Sequence, residues 1–163
     1  AMQFIDTAGC GFEEKKDKES LSLYNQGEVD LVNKIISQHL TIHHDEFSIG
    51  IISPYRQQVE RLNDNISKAY DYLPNVKIDT IDSFQGQERD FIIISLVRSN
   101  ENNEIGFLKD YRRLNVALTR ARKKLIVIGD SATLASDKFY GQFMDYIDSI
   151  DGYHSAYEFM YEE

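Results

Sequence analysis

Apolar residues in this 163-residue chain fall into short runs, separated by stretches that repeat at helical spacing. Met2–Asp6, Ser48–Ser53, Val76–Ile81, Phe91–Val97 and Leu125–Gly129 are compact runs bounded by Gly, Pro or polar residues, and each predicts a strand. Phe91–Val97 is almost wholly apolar, as a central strand covered on both faces requires. Between the runs the period changes. Val29, Val32, Ile35, Ile36 and Leu40 share one helical face, and Val59, Leu62 and Ile66 share another within Tyr55–Ala69. Arg112–Arg122 placed on a helix aligns Leu114, Ala117, Leu118 and Ala121 in one stripe that can bury. Helical pattern returns over Ser131–Ala135 and Phe139–Ile150. Strands alternating with helices predict an α/β fold around a mostly parallel sheet, a single domain over residues 1–163. In such sheets ligands bind beyond the carboxyl ends of the strands.

Local signals refine this outline. Asn25 followed three residues later by Glu28 predicts a capping box of the broader kind. Glu13–Glu19 is a charge run with no apolar anchor and predicts a mobile surface loop. The aromatic, acidic tail Tyr153–Glu163 carries no clear period. His43-His44 reads as an exposed turn, and the four histidines have no metal-like spacing, so no metal site is expected.

Composition excludes several classes. No apolar run reaches the ~18 residues of a membrane span, and the single Cys10 excludes an internal disulfide and fits a reducing, intracellular compartment, cytoplasmic or nucleoid/nuclear. The opening Ala1–Asp6 has no signal-peptide pattern and reads as a cut inside a longer protein. The net charge of −9 argues against nucleic acid only if the charge is evenly spread. It is not. Arg89–Lys124 holds nine bases against four acids, while the rest of the chain holds 23 acids and nine bases. A locally basic surface on an acidic body is compatible with a phosphate-bearing ligand.

Three stretches carry candidate chemistry. On the predicted arginine helix, Arg113 and Arg120 lie seven apart and project together from the edge of the apolar stripe, as bidentate forks suited to phosphate oxygens. In Asp79–Asp90, Gly86 permits close backbone approach, Glu88 offers a carboxylate to ribose hydroxyls, and Thr80 and Ser83 offer hydroxyls to a phosphodiester backbone. In Gly50–Gln58, Pro54 ends a strand and opens a helix whose N-terminus suits an anion. Taken singly, each stretch has a plain structural reading: a solvated basic face, a polar turn, a capped helix start.

Together the three stretches resemble the last three conserved blocks of superfamily I helicases. Ile49–Gln58 is similar to the fourth motif, Asp79–Asp90 to the fifth and Arg112–Arg122 to the sixth, in the same order and spacing. The opening Phe4–Gly11, Asn25-Gln26-Gly27-Glu28 and the ending His154–Phe159 resemble the branch of the immunoglobulin-mu-binding-protein-2 and nonsense-mediated-decay helicases. The resemblance covers essentially the whole chain. It implies a three-layer RecA-like domain, the second of a two-domain motor that binds ATP with Mg2+ in the interdomain cleft. An N-terminal RecA-like domain would supply the Walker A lysine and the acidic residues that hold Mg2+. This chain has neither motif, so the isolated chain is expected to turn nothing over.

Carried over by motif, Arg120 is the arginine that reaches the γ-phosphate, Glu88 holds the ribose, and Gln85 and Gly86 lie at the edge of the nucleotide cleft. Arg113 is a further nucleotide candidate, with a tie to a carboxylate as its other reading, and Arg122 reads as a structural salt bridge. Arg56 is not assigned to the nucleotide. The family pattern implies that Ser53, Pro54, Tyr55, Thr80 and Ser83, with Arg98 and Ser99, grip single-stranded DNA or RNA through its backbone, with 5′ to 3′ travel. Two alternatives stay open on the residues alone: a non-motor RecA-like module that binds nucleic acid or protein, and a flavodoxin-like or Rossmann-like enzyme.

Overall fold

A computed structural model describes residues 1–40, 47–69 and 75–161. His43-His44 lies outside the described residues. The strands are β1 (Met2–Asp6), β2 (Lys15–Lys16), β3 (Leu23–Tyr24), β4 (Ile49–Ile52), β5 (Val76–Asp79), β6 (Arg89–Ser95), β7 (Ala121–Gly129) and β8 (Tyr153–Ser155). The helices are α1 (Gln26–Ile35, continued by a π turn over Ile36–Leu40), α2 (Arg56–Ala69), α3 (Tyr111–Leu118), α4 (Ser131–Leu134), α5 (Lys138–Ser149) and α6 (Tyr157–Met160). Six strands form one sheet in the order β5-β4-β6-β7-β1-β8, and every pairing is parallel.

The near-continuous apolar strands are explained by two cores, one on each face. Alternation sends Ile92, Ile94, Leu125 and Val127 to a core closed by Leu114 and Ala117 of α3 and by Tyr140, Met144 and Ile147 of α5. It sends Ile93, Ile126 and Ile128 to the opposite core, closed by Val29, Val32 and Ile35 of α1 and Leu62 and Ile66 of α2. This is the three-layer arrangement expected. The tail, unassigned from the sequence, adds edge strand β8 beside β1 and the short helix α6.

The arginine segment departs from expectation. Its helix stops at Leu118, and Ala121 and Arg122 already belong to β7. Thr119 N–H donates to the carbonyls of Asn115 and Val116, and Arg120 N–H to that of Ala117, so the last turn tightens and the chain leaves the helix. Pairing of Ala121 with Arg89 in the sheet then overrides helical propensity. The helical stripe therefore consists of Leu114 and Ala117 with Leu118 partly buried beside them, Ala121 reaches the same core from β7, and Arg113 and Arg120 do not share a helix face.

The charge run Glu13–Glu19 carries more structure than its composition predicts. Lys15–Lys16 pairs antiparallel with Leu23–Tyr24, and the Asp17 carboxylate accepts from Glu19 N–H, Ser20 N–H and Ser20 Oγ, which closes the turn. The expected capping box is only half made. Asn25 accepts from Glu28 N–H at 3.2 Å, but Asn25 N–H goes to Gln58 Oε1 at 2.8 Å. The Glu28 side chain turns inward instead. Its Oε1 accepts from Ser95 Oγ (2.7 Å) and Val97 N–H (3.0 Å), and Gln58 donates to Ser95 Oγ at 2.9 Å. This buried knot pins the carboxyl end of β6 to both helices on that face.

Gly50 of β4 faces Phe84, and an added Cβ would stand 2.7 Å from both Phe84 Cε1 and Ile92 Cδ1. Gly50→Ala should therefore cost about 1–3 kcal/mol, read by urea denaturation; stability equal to wild type would refute the close approach. Burial pushes the Glu28 carboxyl up from 4.5 to about 7, against the opposing pull of Ser95 and Val97. The folded chain then keeps a proton that the unfolded chain gives up, so this group's contribution is full below pH 4.5 and is lost as pH rises toward and through 7. Glu28→Gln should remove that component, about 3 kcal/mol. Denaturation curves across this range with the same pH slope in both proteins would count against it.

Candidate functional site

The fifth and sixth motif segments lie side by side and span the sheet from one edge to the other. Asp79 ends β5 at the carboxyl edge, and Arg89 begins β6 at the amino edge. The connection carries a 3-10 turn over Ile81–Phe84, whose Phe84 ring is fully buried. Gly86 follows with φ +72, a left-handed turn that glycine adopts without cost. Lys77 Nζ holds this turn by donating to Ser83 C=O (2.6 Å) and Gln87 Oε1 (3.0 Å), and it stands 4.7 Å from the Phe84 ring centre. Gln85 N–H donates to Asp82 C=O and its side chain is exposed.

At the amino edge, Arg89 N–H donates to Arg120 C=O at 3.0 Å. That bond sets the backbone of Glu88, the preceding residue, next to that of Arg120, although Arg120 does not line the cavity that Glu88 lines. Glu88 is exposed and shares a shallow cavity of about 330 Å³ with Ser48, Lys77, Arg89 and Arg122. The half-buried Arg120 guanidinium donates from Nε to Val116 C=O (3.1 Å) and from Nη2 to Thr119 Oγ1 (3.2 Å). Among the described residues no carboxylate pairs with it. Its neighbours differ. Arg122 pairs with Asp90 at 3.2 Å, and Arg113 with Asp82 at 2.8 Å. The salt bridge expected at Arg122 is present, although it arises from a strand and not from the far side of a helix. Arg113 shows the second reading given for it, a tie to a carboxylate. It stands near the start of α3, by the carboxyl edge, and lines a different cavity from Glu88.

The carboxyl edge holds that second cavity, an open groove of about 720 Å³. Pro54, Tyr55, Thr80 and Arg98 line it, with Arg56 and Arg113 beside them. Tyr55 is buried. Its hydroxyl accepts from Arg98 Nη1 at 3.2 Å, and its ring stacks on Phe107 at 5.1 Å and 24°. Arg98 is 7% exposed and donates from Nε to Glu14 Oε1 at 2.9 Å. The same Glu14 oxygen accepts from Ser99 N–H and Asn100 Nδ2, both at 2.8 Å. Gly106, with φ +50, leaves room for this guanidinium, since a Cβ there would fall 2.2 Å from Arg98 Nη1.

The other strand-binding candidates lie apart from the groove lining. Ser53 is fully buried, and its Oγ accepts Tyr55 N–H at 3.3 Å, so it caps the turn into α2 and offers nothing to a ligand as it stands. Gln57 N–H at the start of α2 is likewise taken, by Ser22 Oγ at 3.1 Å, so the helix N-terminus is not the open anion site its sequence suggests. Ser99 Oγ donates to Asp130 at 2.7 Å. Ser83 sits against Asp79, whose carboxyl, pushed up by partial burial, is brought below its usual range by Thr80 N–H, Ser83 and Arg56. Sequence reasoning missed Glu14, Gln58 and Phe107. Gln58, a polar residue on the buried side of α2 next to Val59, was a readable signal; Glu14, inside a charge run, gave none.

Residues 1–132 match the family described as AAA domain. The chain is 47% identical over 133 residues to DNA polymerase alpha-associated DNA helicase A of Saccharomyces cerevisiae, covering 80% of this chain and 19% of that protein. It is 38% identical over 159 residues to DNA-binding protein SMUBP-2 of Rattus norvegicus, 98% of this chain and 16% of that protein. It is 36% identical over 141 residues to Regulator of nonsense transcripts 1 of Dictyostelium discoideum, 84% of this chain and 11% of that protein. The chain thus spans less than a fifth of the length of each of these three relatives. With its all-parallel three-layer sheet and the fourth to sixth motifs in order, the chain belongs to the AAA-domain family, as the C-terminal RecA-like domain of a superfamily I helicase in the branch of the mu-binding-protein-2 and nonsense-transcript helicases.

Proposed function

We propose that the chain is the second motor domain of an ATP-dependent DNA or RNA helicase, completing with an N-terminal RecA-like domain a nucleotide site at its own amino edge and holding a single strand at its carboxyl edge. The observation that supports this reading is the hydrogen bond from Arg89 N–H to Arg120 C=O, which joins the backbone of Glu88 to that of Arg120, an arginine held by a carbonyl and a hydroxyl and by no described carboxylate. The two suit the two ends of a nucleoside triphosphate. Glu88 accepts from ribose hydroxyls, and Arg120 donates to γ-phosphate oxygens where charge develops during transfer. ATP supplies the free energy, and Mg2+ is held by residues outside this chain.

An arginine already neutralised by a neighbouring carboxylate would gain little from a phosphate. Arg120 instead spends its donors on a carbonyl and a hydroxyl, so an arriving anion adds an ion pair where none existed. Closure of the cleft is favoured while the γ-phosphate is present and lost when it leaves. The strand lies in the groove lined by Pro54, Tyr55, Thr80 and Arg98, where Arg98, already paired with Glu14, shapes the wall, and sugar and backbone contacts carry no sequence preference, so a motor advances over any base. The helicase names of the relatives support the same reading.

In the full-length protein Arg120→Ala should lower strand-stimulated ATP turnover by about 10³- to 10⁵-fold while leaving strand affinity near wild type. The purified 163-residue chain should show no turnover of its own. Wild-type turnover in the variant would remove Arg120 from the chemistry.

A further inference from the structure

The groove at the carboxyl edge has two apolar lips that its charged residues do not account for. Phe107, in the 3-10 turn Gly106–Lys109, is 62% exposed, yet its ring lies nearly parallel on Tyr55. One face of the ring is fixed against a buried aromatic whose hydroxyl is itself held by Arg98. The rest of the ring is open to solvent. Leu21, at the tip of the β2–β3 hairpin, is 64% exposed and sits at φ +64. A leucine in the left-handed region is strained where glycine or asparagine would not be. The strain is held by a built turn, in which Leu21 N–H donates to Asp17 C=O at 2.9 Å. Both residues line the same groove as Arg56, Arg98 and Arg113.

We propose that Phe107 and Leu21 form a base-stacking slot, in which one base of a single-stranded nucleic acid lies on the open face of Phe107 with Leu21 as the opposing apolar contact. The inference rests on the strand-groove reading above and adds to it an occupant for the apolar part of the groove. An aromatic platform flanked by guanidinium groups matches the chemistry of unpaired bases, because every base has a π-face and every nucleotide a phosphate. A duplex keeps those faces stacked internally, so the slot takes a single strand. The Tyr55 ring behind Phe107 prevents it from tilting away under load, and its hydroxyl couples the platform to Arg98, whose guanidinium lies at the same wall.

The test compares the 163-residue chain on a short oligothymidylate and on an abasic oligonucleotide of equal length, by fluorescence anisotropy at low salt. Wild type should prefer the base-bearing strand. Phe107→Ala should weaken binding to it by about 5- to 150-fold, toward the abasic level, with little change on the abasic strand. Phe107→Trp should keep the preference. Leu21→Gly should lower the preference while its melting temperature stays equal or rises, since glycine relieves the backbone strain. A wild type that binds both strands equally, or a Phe107→Ala variant that keeps the preference or weakens both strands alike, overturns the slot and leaves the groove reading in place. A wild type that binds neither strand overturns the groove reading and the slot with it.

Discussion

Parallel strands cannot be joined by a tight hairpin, so each connection must carry the chain back from the carboxyl edge of the sheet to its amino edge. Both motif segments are such connections. Residues 80–88 return from β5 to β6 past the intervening β4, and α3 returns toward the start of β7. Phe84 anchors the first against the gap left by Gly50, and Leu114 and Ala117 anchor the second in the same core. The two returns are tied at both ends, by Arg113 to Asp82 near the groove and by Arg89 N–H to Arg120 C=O at the amino edge. A short, braced pair of segments thus joins the groove to the rim that carries Glu88 and Arg120.

The charge distribution limits what electrostatics can do for this surface. In the groove Arg56, Arg98 and Arg113 each face an acidic side chain of the same chain. A phosphate approaching any of them must replace a carboxylate, so the gain is smaller than a count of cations suggests. Together with a net charge of −9, this makes strong, purely ionic binding a poor description of the groove. Apolar contact with bases is then a larger share of any affinity, which is the role an exposed Phe107 backed by Tyr55 is built to fill.

The end of β6 also stores strain. Arg98 N–H donates to Leu96 C=O at 2.8 Å across Val97, which sits at φ +72. A γ-turn with a β-branched residue at positive φ is the costly form. It persists because Glu28 Oε1 accepts Val97 N–H while Asn25 Nδ2 donates to Val97 C=O. The bend diverts the chain out of the sheet and aims Arg98 at Tyr55 and Glu14. The buried polar knot on one face of the sheet therefore sets the position of a guanidinium at its edge.

Local pattern alone determined β1 and β4–β7 and most of the helices, but not the short strands β2, β3 and β8, since two-sided burial demands apolar runs and helices packed on one side show helical period, and both can be read without coordinates. That Glu88 and Arg120 belong together was legible only as a motif resemblance; the sheet register pairs Arg89 with Ala121 and so sets the two backbones next to each other. Pattern misjudged the arginine segment, because helical period continues through Ala121 while the neighbouring strand claims that residue. It could not separate Arg113 from Arg120, show Ser53 buried, or find Glu14 and Phe107. Those outcomes depend on which distant groups meet: a glutamate from a charge run meeting an arginine 84 positions away, or an exposed phenylalanine meeting a buried tyrosine. The sequence by itself decides which residues must be buried; only the folded chain decides which polar groups those burials bring within hydrogen-bonding reach, because that depends on long-range register and not on any local period.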